Sequence, residues 1–344
     1  MKIILAIFAI AFAVALFAVR DGDVSSPQVS SAPAHAIAGP ATEKVAGQSP
    51  TTAHGQASAA STKLAPAVDD RGDRAGDDVL RAARERLDGC ASVVANLRYR
   101  IVMFDNELIG AGLYQQAGQG SERRYRLELK TQLGDQLTSL LHVCDSQTLW
   151  TYRQRPGGTP GAQLERLDLR RVRAAQGEAL HRPPGSPVEE LATGGLPKFM
   201  EGLRTNFRPL RAEAGYLDDL PTWAVELEWE PSVLASLLAE KHENSTAQHD
   251  ITAHSQLPER VMVYLGHEDL FPRRIEFRRR APEGIHEAGT GQGRAGEFVP
   301  AVSLEFLDIR FNEPIDARQF EYGAASAVDV TEAFLRGRGL PIVR

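Results

Sequence analysis

The chain has 344 residues, a formal net charge of −6 and 24% charged residues. That balance lacks the basic footprint that nucleic-acid binding leaves on a domain, so we expect no nucleic-acid partner. The length could hold two average domains, but the composition of residues 1–75 leaves only residues 76–344 for folded structure. That is enough for one large domain with its own core.

The first segment, residues 1–20, predicts export. It has a positive charge at its start, on Lys2, and is apolar without interruption from Ile3 to Val19. Such a run is longer than the core of an ordinary signal peptide and at the short end for a membrane-spanning helix. Two interpretations stay open: an uncleaved anchor in the cytoplasmic membrane, or a cleaved signal peptide. The domain is then at the periplasmic face of the inner membrane, or soluble in the periplasm.

Residues 21–75 read as a disordered linker. They are rich in Ala, Ser, Pro, Gly and Thr and have almost no aromatic or long aliphatic side chains. Such a segment cannot bury enough surface to offset the entropy of ordering it. If the anchor is retained, a linker of this length has a root-mean-square reach of roughly 40 Å, so the domain stays near the membrane.

The first half of the domain predicts one helix and an antiparallel meander. Leu80, Ala83 and Leu87 recur at helical spacing within residues 77–93. Six strand-like runs follow: Leu97–Phe104, Leu108–Gln115, Arg123–Lys130, Gln136–Val143, Thr148–Gln154 and Gln163–Leu169. The connections are too short for parallel crossovers, so we expect these strands to be antiparallel.

The second half interleaves helices with strands. The predicted helices cover residues 196–207 and 231–241, and a short turn or helix contains Phe334 and Leu335. The predicted strands are Thr222–Trp229, Arg260–Leu265, Arg273–Arg280 and Val302–Phe311. The whole pattern indicates an α+β domain.

No pattern in the chain predicts catalysis. Gly291 to Gly296 spells G-x-G-x-x-G, but this loop between two strands opens no helix and lacks the context of a dinucleotide site. Four histidines between His242 and His267 have spacings that match no familiar zinc site. There is no recognisable pair of nucleophile and base. We therefore expect no enzyme, no metal and no cofactor.

Several strands carry apolar residues on both faces, as within residues 107–114 and 136–143. A solvated antiparallel sheet has one polar face, so both faces of this sheet must be covered. One alternative is an ordinary sheet packed between helices, and the other is a curved sheet around a cavity for an apolar ligand. In the second case we expect the lining to include Met103, Leu113, Leu140, Trp150, Trp223 and Leu227. The helix that carries Phe199, Met200 and Leu203 would then serve as a lid.

Three stretches give the chain a family resemblance. "CDSQTLWTYR" at residues 144–153, "FPRRIEFRRR" at 271–280 and "AVDVTEAF" at 327–334 resemble, in this order, segments of the LolA-like lipoprotein-carrier family. The resemblance implies a strongly curved antiparallel sheet, an incomplete β-barrel, with helices covering its mouth. It also implies binding of lipid or lipoprotein acyl chains. The family's arginine that latches the helical lid would fall on Arg126, although the local alternation places Arg126 on a solvated face.

Cys90 and Cys144 are the two cysteines of the chain. An even count in an exported protein favours a disulfide between them. The alternative is two separate buried thiols, because free cysteine packs readily in cores.

Two function classes remain open from the sequence. The first is an exported, membrane-tethered carrier or chaperone whose partners are lipid or lipoprotein acyl chains and, through residues 1–20, the cytoplasmic membrane. The second is an envelope sensor or interaction module that uses the same fold without transport.

Overall fold

A computed structural model describes residues 72–103, 106–133, 136–154, 162–178, 187–244, 257–281, 296–324 and 326–342. These residues form a curved, unclosed sheet of twelve strands with five helices, which confirms the predicted α+β fold class. The predicted anchor and nearly all of the predicted linker lie outside the described residues. Within the described ranges, no helix combines the length and the hydropathy that a membrane crossing requires.

The elements follow each other in this order along the chain. The helices are α1 (Gly72–Gly89), α2 (Leu169–Glu178), α3 (Pro187–Asn206), α4 (Pro231–Asn244) and α5 (Thr331–Gly337). The strands are β1 (Ser92–Met103), β2 (Asn106–Ala117), β3 (Arg124–Leu133), β4 (Gln136–Cys144), β5 (Thr148–Gln154), β6 (Ala162–Asp168), β7 (Phe207–Leu217), β8 (Leu220–Trp229), β9 (Arg260–Gly266), β10 (Pro272–Arg280), β11 (Phe298–Phe311) and β12 (Val328–Asp329). Their order in the sheet is β12-β6-β5-β4-β3-β2-β1-β11-β10-β9-β8-β7, and only the β12–β6 pair is parallel.

The six strands predicted in the first half are present as β1 to β6, but the prediction missed β7 and α2. β7 contains Pro209 and Gly215, which interrupt a strand pattern in the sequence. A sheet edge tolerates them because one side of an edge strand makes no ladder hydrogen bonds. β7 is such an edge, and its register shifts between Pro209 and Arg211.

The strand registers assign each side chain to one of two faces. We call the face that carries the helices the inner face. It includes Leu97, Leu127 and Val263, all buried, and the Tyr125 hydroxyl on this face donates a hydrogen bond to the Ala192 carbonyl of α3. The apolar stripe of α1, which includes Leu80, completes this core. The core is therefore one-sided, between sheet and helices.

The outer face of β7 to β11 carries paired charges. Arg211 Nε donates to Glu226 Oε2 at 2.7 Å across β7 and β8. Arg274 Nη2 lies 2.7 Å from Glu305 Oε1 across β10 and β11. The side chain of Arg211 is 44% exposed, so the first pair contributes less than about 1 kcal/mol, whereas the side chains of Arg274 and Glu305 are only 20% and 14% exposed. Their effect is to keep this face compatible with water.

Residues 312–324 and 326–340, which we call the C-terminal strap, wrap around the β6 edge of the sheet. A short 3₁₀ helix, Ala317–Phe320, lies on the outer face, where Arg126 Nη1 donates to the Gln319 carbonyl at 3.3 Å. β12 then extends the β6 edge, and α5 places Leu335 in the inner core. The strap thus covers an edge that would otherwise be free to pair with another chain.

The predicted disulfide is not formed, because Cys90 and Cys144 are both free thiols. The Cys90 thiol donates a hydrogen bond to the Arg86 carbonyl at 3.3 Å. Cys144 ends β4, whereas Cys90 precedes β1, and two strands lie between β4 and β1. Three strand spacings amount to about 14 Å, twice the upper limit of roughly 7 Å between the Cα atoms of a disulfide. Strand order sets this separation, and no local pattern in the sequence encodes strand order.

We expect both cysteines to titrate as thiols in the unreduced, denatured protein. In the native protein, Cys90 should react with a thiol reagent faster than Cys144, because Cys90 is only partly covered and Cys144 is buried. Burial raises the pKa of the Cys144 thiol to about 11, which lowers its reactive thiolate fraction further. The measurement is a timed thiol titration of the wild type and of Cys90→Ser. Finding no thiol after denaturation would contradict this prediction.

Candidate functional site

The residues predicted to line a cavity are mostly packed core. Leu140, Phe199, Met200, Leu203 and Leu227 lie on the inner face or on the second half of α3, and each is at most 5% exposed. The predicted lid helix exists, with its apolar face already against the sheet. At these positions the interior is filled.

Leu113 and Trp150 lie on the outer face, away from the helices. Leu113 is half-buried and pairs in register with outer-face residues of β1 and β3. The Trp150 ring packs against Tyr322 of the C-terminal strap, with 6.0 Å between ring centroids. Its indole Nε1 is buried and has no hydrogen-bond partner in the described part of the chain. Trp150 therefore anchors the strap and does not line the inner face.

Trp223 and Met103 complete the predicted set. Trp223 is half-buried on the inner face of β8, and its ring stacks on His267 at 5.6 Å between centroids. Met103 ends β1, and its side chain lies outside the described part of the structure. Neither residue joins the other predicted lining residues in one site.

A break in α3 is held to the sheet by hydrogen bonds on both of its sides. Gly194 and Gly195 have non-helical backbone angles, and Gly195 has φ 71° and ψ −165°. On one side of the break, the Leu196 amide donates to the Tyr114 hydroxyl at 2.9 Å. On the other side, Tyr125 donates to a backbone carbonyl of α3. Burial raises the pKa of both tyrosines well above its usual range, so both act as neutral hydrogen-bonding groups.

Arg123 ties the same break to α1. It is 7% exposed, and its Nη1 donates to the Gly194 carbonyl at 3.5 Å. Its Nη2 forms an ion pair with Asp88 near the end of α1. A buried arginine paired with a carboxylate is costly to disrupt, because the remaining charge is left uncompensated.

These contacts correct the predicted latch. Arg126 lies on the outer face of β3, where its Nε donates to Glu128 Oε1 at 2.7 Å. From there it holds the C-terminal strap, on the face of the sheet opposite to the inner helices. The arginine that joins sheet to helices is Arg123, which shares a face with Tyr125. The buried residues in this stretch of sequence stand at odd positions. The alternation therefore already indicated that Arg123 faces inward and Arg126 outward.

A groove opens between α4, the end of β8 and the start of β9. We call this edge of the sheet, at which β8 ends and β9 begins, the α4 end. The volume of the groove is about 380 Å³. The walls are apolar, and charged residues form its rim; the lining consists of Glu228, Trp229, Leu234, Leu238, Leu257, Pro258, Glu259 and Arg260. The Trp229 indole donates to the Pro258 carbonyl at 2.7 Å, which fixes the floor. Across the described ranges, no group of three or more His, Cys, Asp or Glu could hold a metal.

We expect Gly195→Ala to destabilise the protein by about 2 kcal/mol or more. A methyl group at this position would lie 2.8 Å from the Tyr114 hydroxyl and 3.0 Å from Gln116 Oε1, and its positive φ disfavours any L-residue. The matched control is Gly177→Ala in α2, where a Cβ meets nothing within 4 Å. That change should be neutral or stabilising by about 0.5 kcal/mol. Free energies of unfolding from urea titrations decide, and equal effects would contradict the tight fit.

No protein-family model matches the chain, and no curated protein matches it. Among solved structures, a DUF1329 family protein from Desulfovibrio piger is 11% identical with a TM-score of 0.32, covering 73% of this chain and 98% of its own. An outer membrane lipoprotein-sorting protein domain from Vibrio parahaemolyticus is 12% identical with a TM-score of 0.31, covering 72% and 97%.

LprF from Mycobacterium bovis is 10% identical with a TM-score of 0.33, again covering 72% of this chain and 97% of its own. One of the three structures is thus described in the terms that the sequence motifs suggested. Likenesses with such TM-scores carry no argument about function. The fold class rests on the topology of this chain, and the functional proposals rest on its residues.

Proposed function

We propose that this protein is an exported binding protein for acyl chains of lipids or lipoproteins, and that the acyl chain enters the groove beside α4. The observation that carries the proposal is the groove itself. Trp229 and Leu257 form a buried apolar floor, while Leu234 and Leu238 of α4 are only half-buried. Partly exposed apolar side chains around a concave surface are typical of sites for apolar ligands.

The rim of the groove suits a ligand with a polar end. Glu228 pairs with Arg260, and Arg280 Nε lies 2.9 Å from Glu259 Oε2. A chain bound at the floor would leave its head group beside these charges and water. Burying eight methylene groups would contribute about 6 kcal/mol, from which the cost of association is subtracted. A bound chain is therefore energetically reasonable even for a short groove.

We further propose that residues 1–20 stay attached as the membrane anchor. The support is the uninterrupted apolar run from Ile3 to Val19, followed by a linker composition. The domain would then collect acyl chains within reach of the membrane.

The second candidate, a sensor or interaction module without a ligand, is favoured by a different observation. Five of the predicted lining and lid residues are packed core, as Met200 and Leu203 illustrate. A packed core has no room for a ligand. If the groove binds no amphiphile, this candidate replaces the carrier.

We expect the full chain to bind a fluorescent fatty acid saturably, and Leu234→Gln with Leu238→Gln to weaken this binding about tenfold or more. The physical reason is that an amide in an apolar wall loses its water without a fixed partner, at about 1–3 kcal/mol. The measurement is a fluorescence titration in detergent-free buffer.

The matched control is Ala239→Gln, which adds the same amide on the exposed side of α4. It should bind the probe like the wild type, and unfolding titrations should show all variants folded. Equal affinity of the double variant and the control would remove the groove as the acyl site. Absence of any binding to the wild type would end the carrier proposal.

We expect the protein to stay with the membrane fraction after high-salt and alkaline washes, and its N-terminal sequence to begin at or near Met1. An apolar run of this length inserts too stably for such washes to extract it. A variant with Leu5→Glu and Ala9→Glu should lose this retention, because charges at the bilayer centre are costly. A mature chain that begins beyond Val19 would overturn the anchor.

A further inference from the structure

The two edges of the sheet differ in how they are covered. The β6 edge carries β12, a strand of only two residues, together with the rest of the C-terminal strap. The other edge is β7, which pairs only with β8 among the described strands. The first part of β7 is protected by Pro209, by the register shift that follows it, and by α1, since a Cβ on Gly76 would lie 2.6 Å from Pro209. An edge without such protection is a template for pairing with another chain.

The unprotected part is the second half of β7. The Pro221 carbonyl of β8 accepts a hydrogen bond from the His267 amide of β9 at 3.0 Å, so this carbonyl points away from β7. Tyr216, the register partner of Pro221, therefore directs its own N–H and C=O away from β8. By alternation along the strand, Ala214 and Ala212 do the same. Three residues thus present backbone donors and acceptors toward the free side of the sheet.

The side chains of this half leave room for a second strand. Ala214 is exposed, Tyr216 is 68% exposed, and a Cβ on Gly215 would meet nothing within 4 Å. The two charged residues of the stretch, Arg211 and Glu213, lie 3.5 Å from each other, so their charges cancel. Neither proline nor lysine, which commonly protect sheet edges, occurs after the register shift.

We propose that β7 pairs with β7 of a second copy of this chain, antiparallel and centred on Ala214. This register places Ala214 opposite Ala214 of the second copy and Ala212 opposite Tyr216 of the second copy. The outward-facing residues then form two hydrogen bonds in each of three pairs. A register centred on Ala212 would have to use the bulged Leu210, and one centred on Tyr216 would run into the turn at Asp218. Only the register around Ala214 uses the outward-facing residues in regular strand.

The assembly closes at two copies. Antiparallel pairing of the same strand generates a two-fold axis, and it uses the free β7 edge of both copies. The opposite edge of each sheet is covered by β12 and the strap, so it offers no equivalent strand to a further copy. The expected product is therefore a dimer and not a filament.

The pairing depends on the local concentration of the protein. Arg211–Leu217 contribute seven residues per copy, whereas a standard interface contains about 20–30 residues per partner. Such a small contact is weak in dilute solution. Retention of the N-terminal anchor would confine the copies to one membrane and raise their effective concentration. In this respect alone the inference rests on the proposed function.

The N-terminal linkers can reach the same membrane in this arrangement. The start of α1, at Gly76, lies beside Pro209, and Pro209 is about 17 Å along the strand from Ala214. The two linkers of a dimer therefore leave the sheet about 35 Å apart. A linker with a reach of roughly 40 Å spans that distance. The α4 ends point in opposite directions, and the groove residues take no part in the new strand pair.

The test is cysteine cross-linking of the full chain in native membranes, with Cys90→Ser as the background. Ala214→Cys should form a disulfide-linked dimer under mild oxidation, because the Cα atoms of a hydrogen-bonded antiparallel pair are about 5.5 Å apart, within the range of a disulfide. Leu220→Cys is the matched control, since it is exposed in the same hairpin but lies on β8. Ala214→Cys should link at least about tenfold faster. Equal rates would indicate random collision and overturn the pairing.

Two changes at Tyr216, each made in the Ala214→Cys protein, separate backbone pairing from side-chain contact. Tyr216→Pro removes an N–H that points away from β8, so it should slow the cross-link about tenfold without unfolding the hairpin. Tyr216→Val keeps the N–H and suits a strand equally well, so it should leave the rate nearly unchanged. Urea titrations check that both variants are folded. Equal slowing by both changes would assign the contact to the tyrosine ring and overturn the paired edge.

If residues 1–20 are cleaved, the same comparison is made in concentrated solution. Ala214→Cys should still link faster than Leu220→Cys, which would support the pairing although the anchor proposal has failed. Equal rates in concentrated solution would overturn the pairing, whatever the fate of the anchor.

Discussion

The inner face of an open, twelve-stranded sheet must be kept from water, and the rest of the structure depends on how that is done. A closed barrel covers its own interior, whereas this sheet has two edges and one exposed apolar concavity. α1 and α3 supply the missing surface over the strands from β7 to β3. Over β7 to β11 the outer face needs no second layer, because ion pairs such as Arg211 with Glu226 make it compatible with water.

The break in α3 is where sheet and helices are held in one arrangement. Apolar contact alone would allow a helix to slide across a smooth sheet, since the hydrophobic effect is not directional. Tyr114, Tyr125 and Arg123 add hydrogen bonds of fixed geometry on either side of Gly195. Only glycine suits that backbone position and that close approach. The same contacts place α3 over the core and leave α4 to cover the other end of the sheet.

One part of the inner side departs from a filled core, and it lies at the α4 end. It is the apolar groove of about 380 Å³. A core built only for stability would not leave Leu234 and Leu238 half-exposed around a concave surface. Local departures of this kind mark places where folding and binding make different demands on the same residues.

Periodicity in the sequence determined the helical stripe of α1, the strands β1 to β6, β8 to β11 and the apolar face of Phe199, Met200 and Leu203, because alternation and helical spacing are local properties. It also marked the odd positions of β3 as buried, which already placed Arg126 outside. Tertiary structure alone decided which strands are neighbours. Strand order separated Cys90 from Cys144, turned Trp150 outward against Tyr322, and brought the residues of the groove together. These are relations between segments far apart in the chain, and sheet order and register set them, whereas no spacing within one segment encodes them.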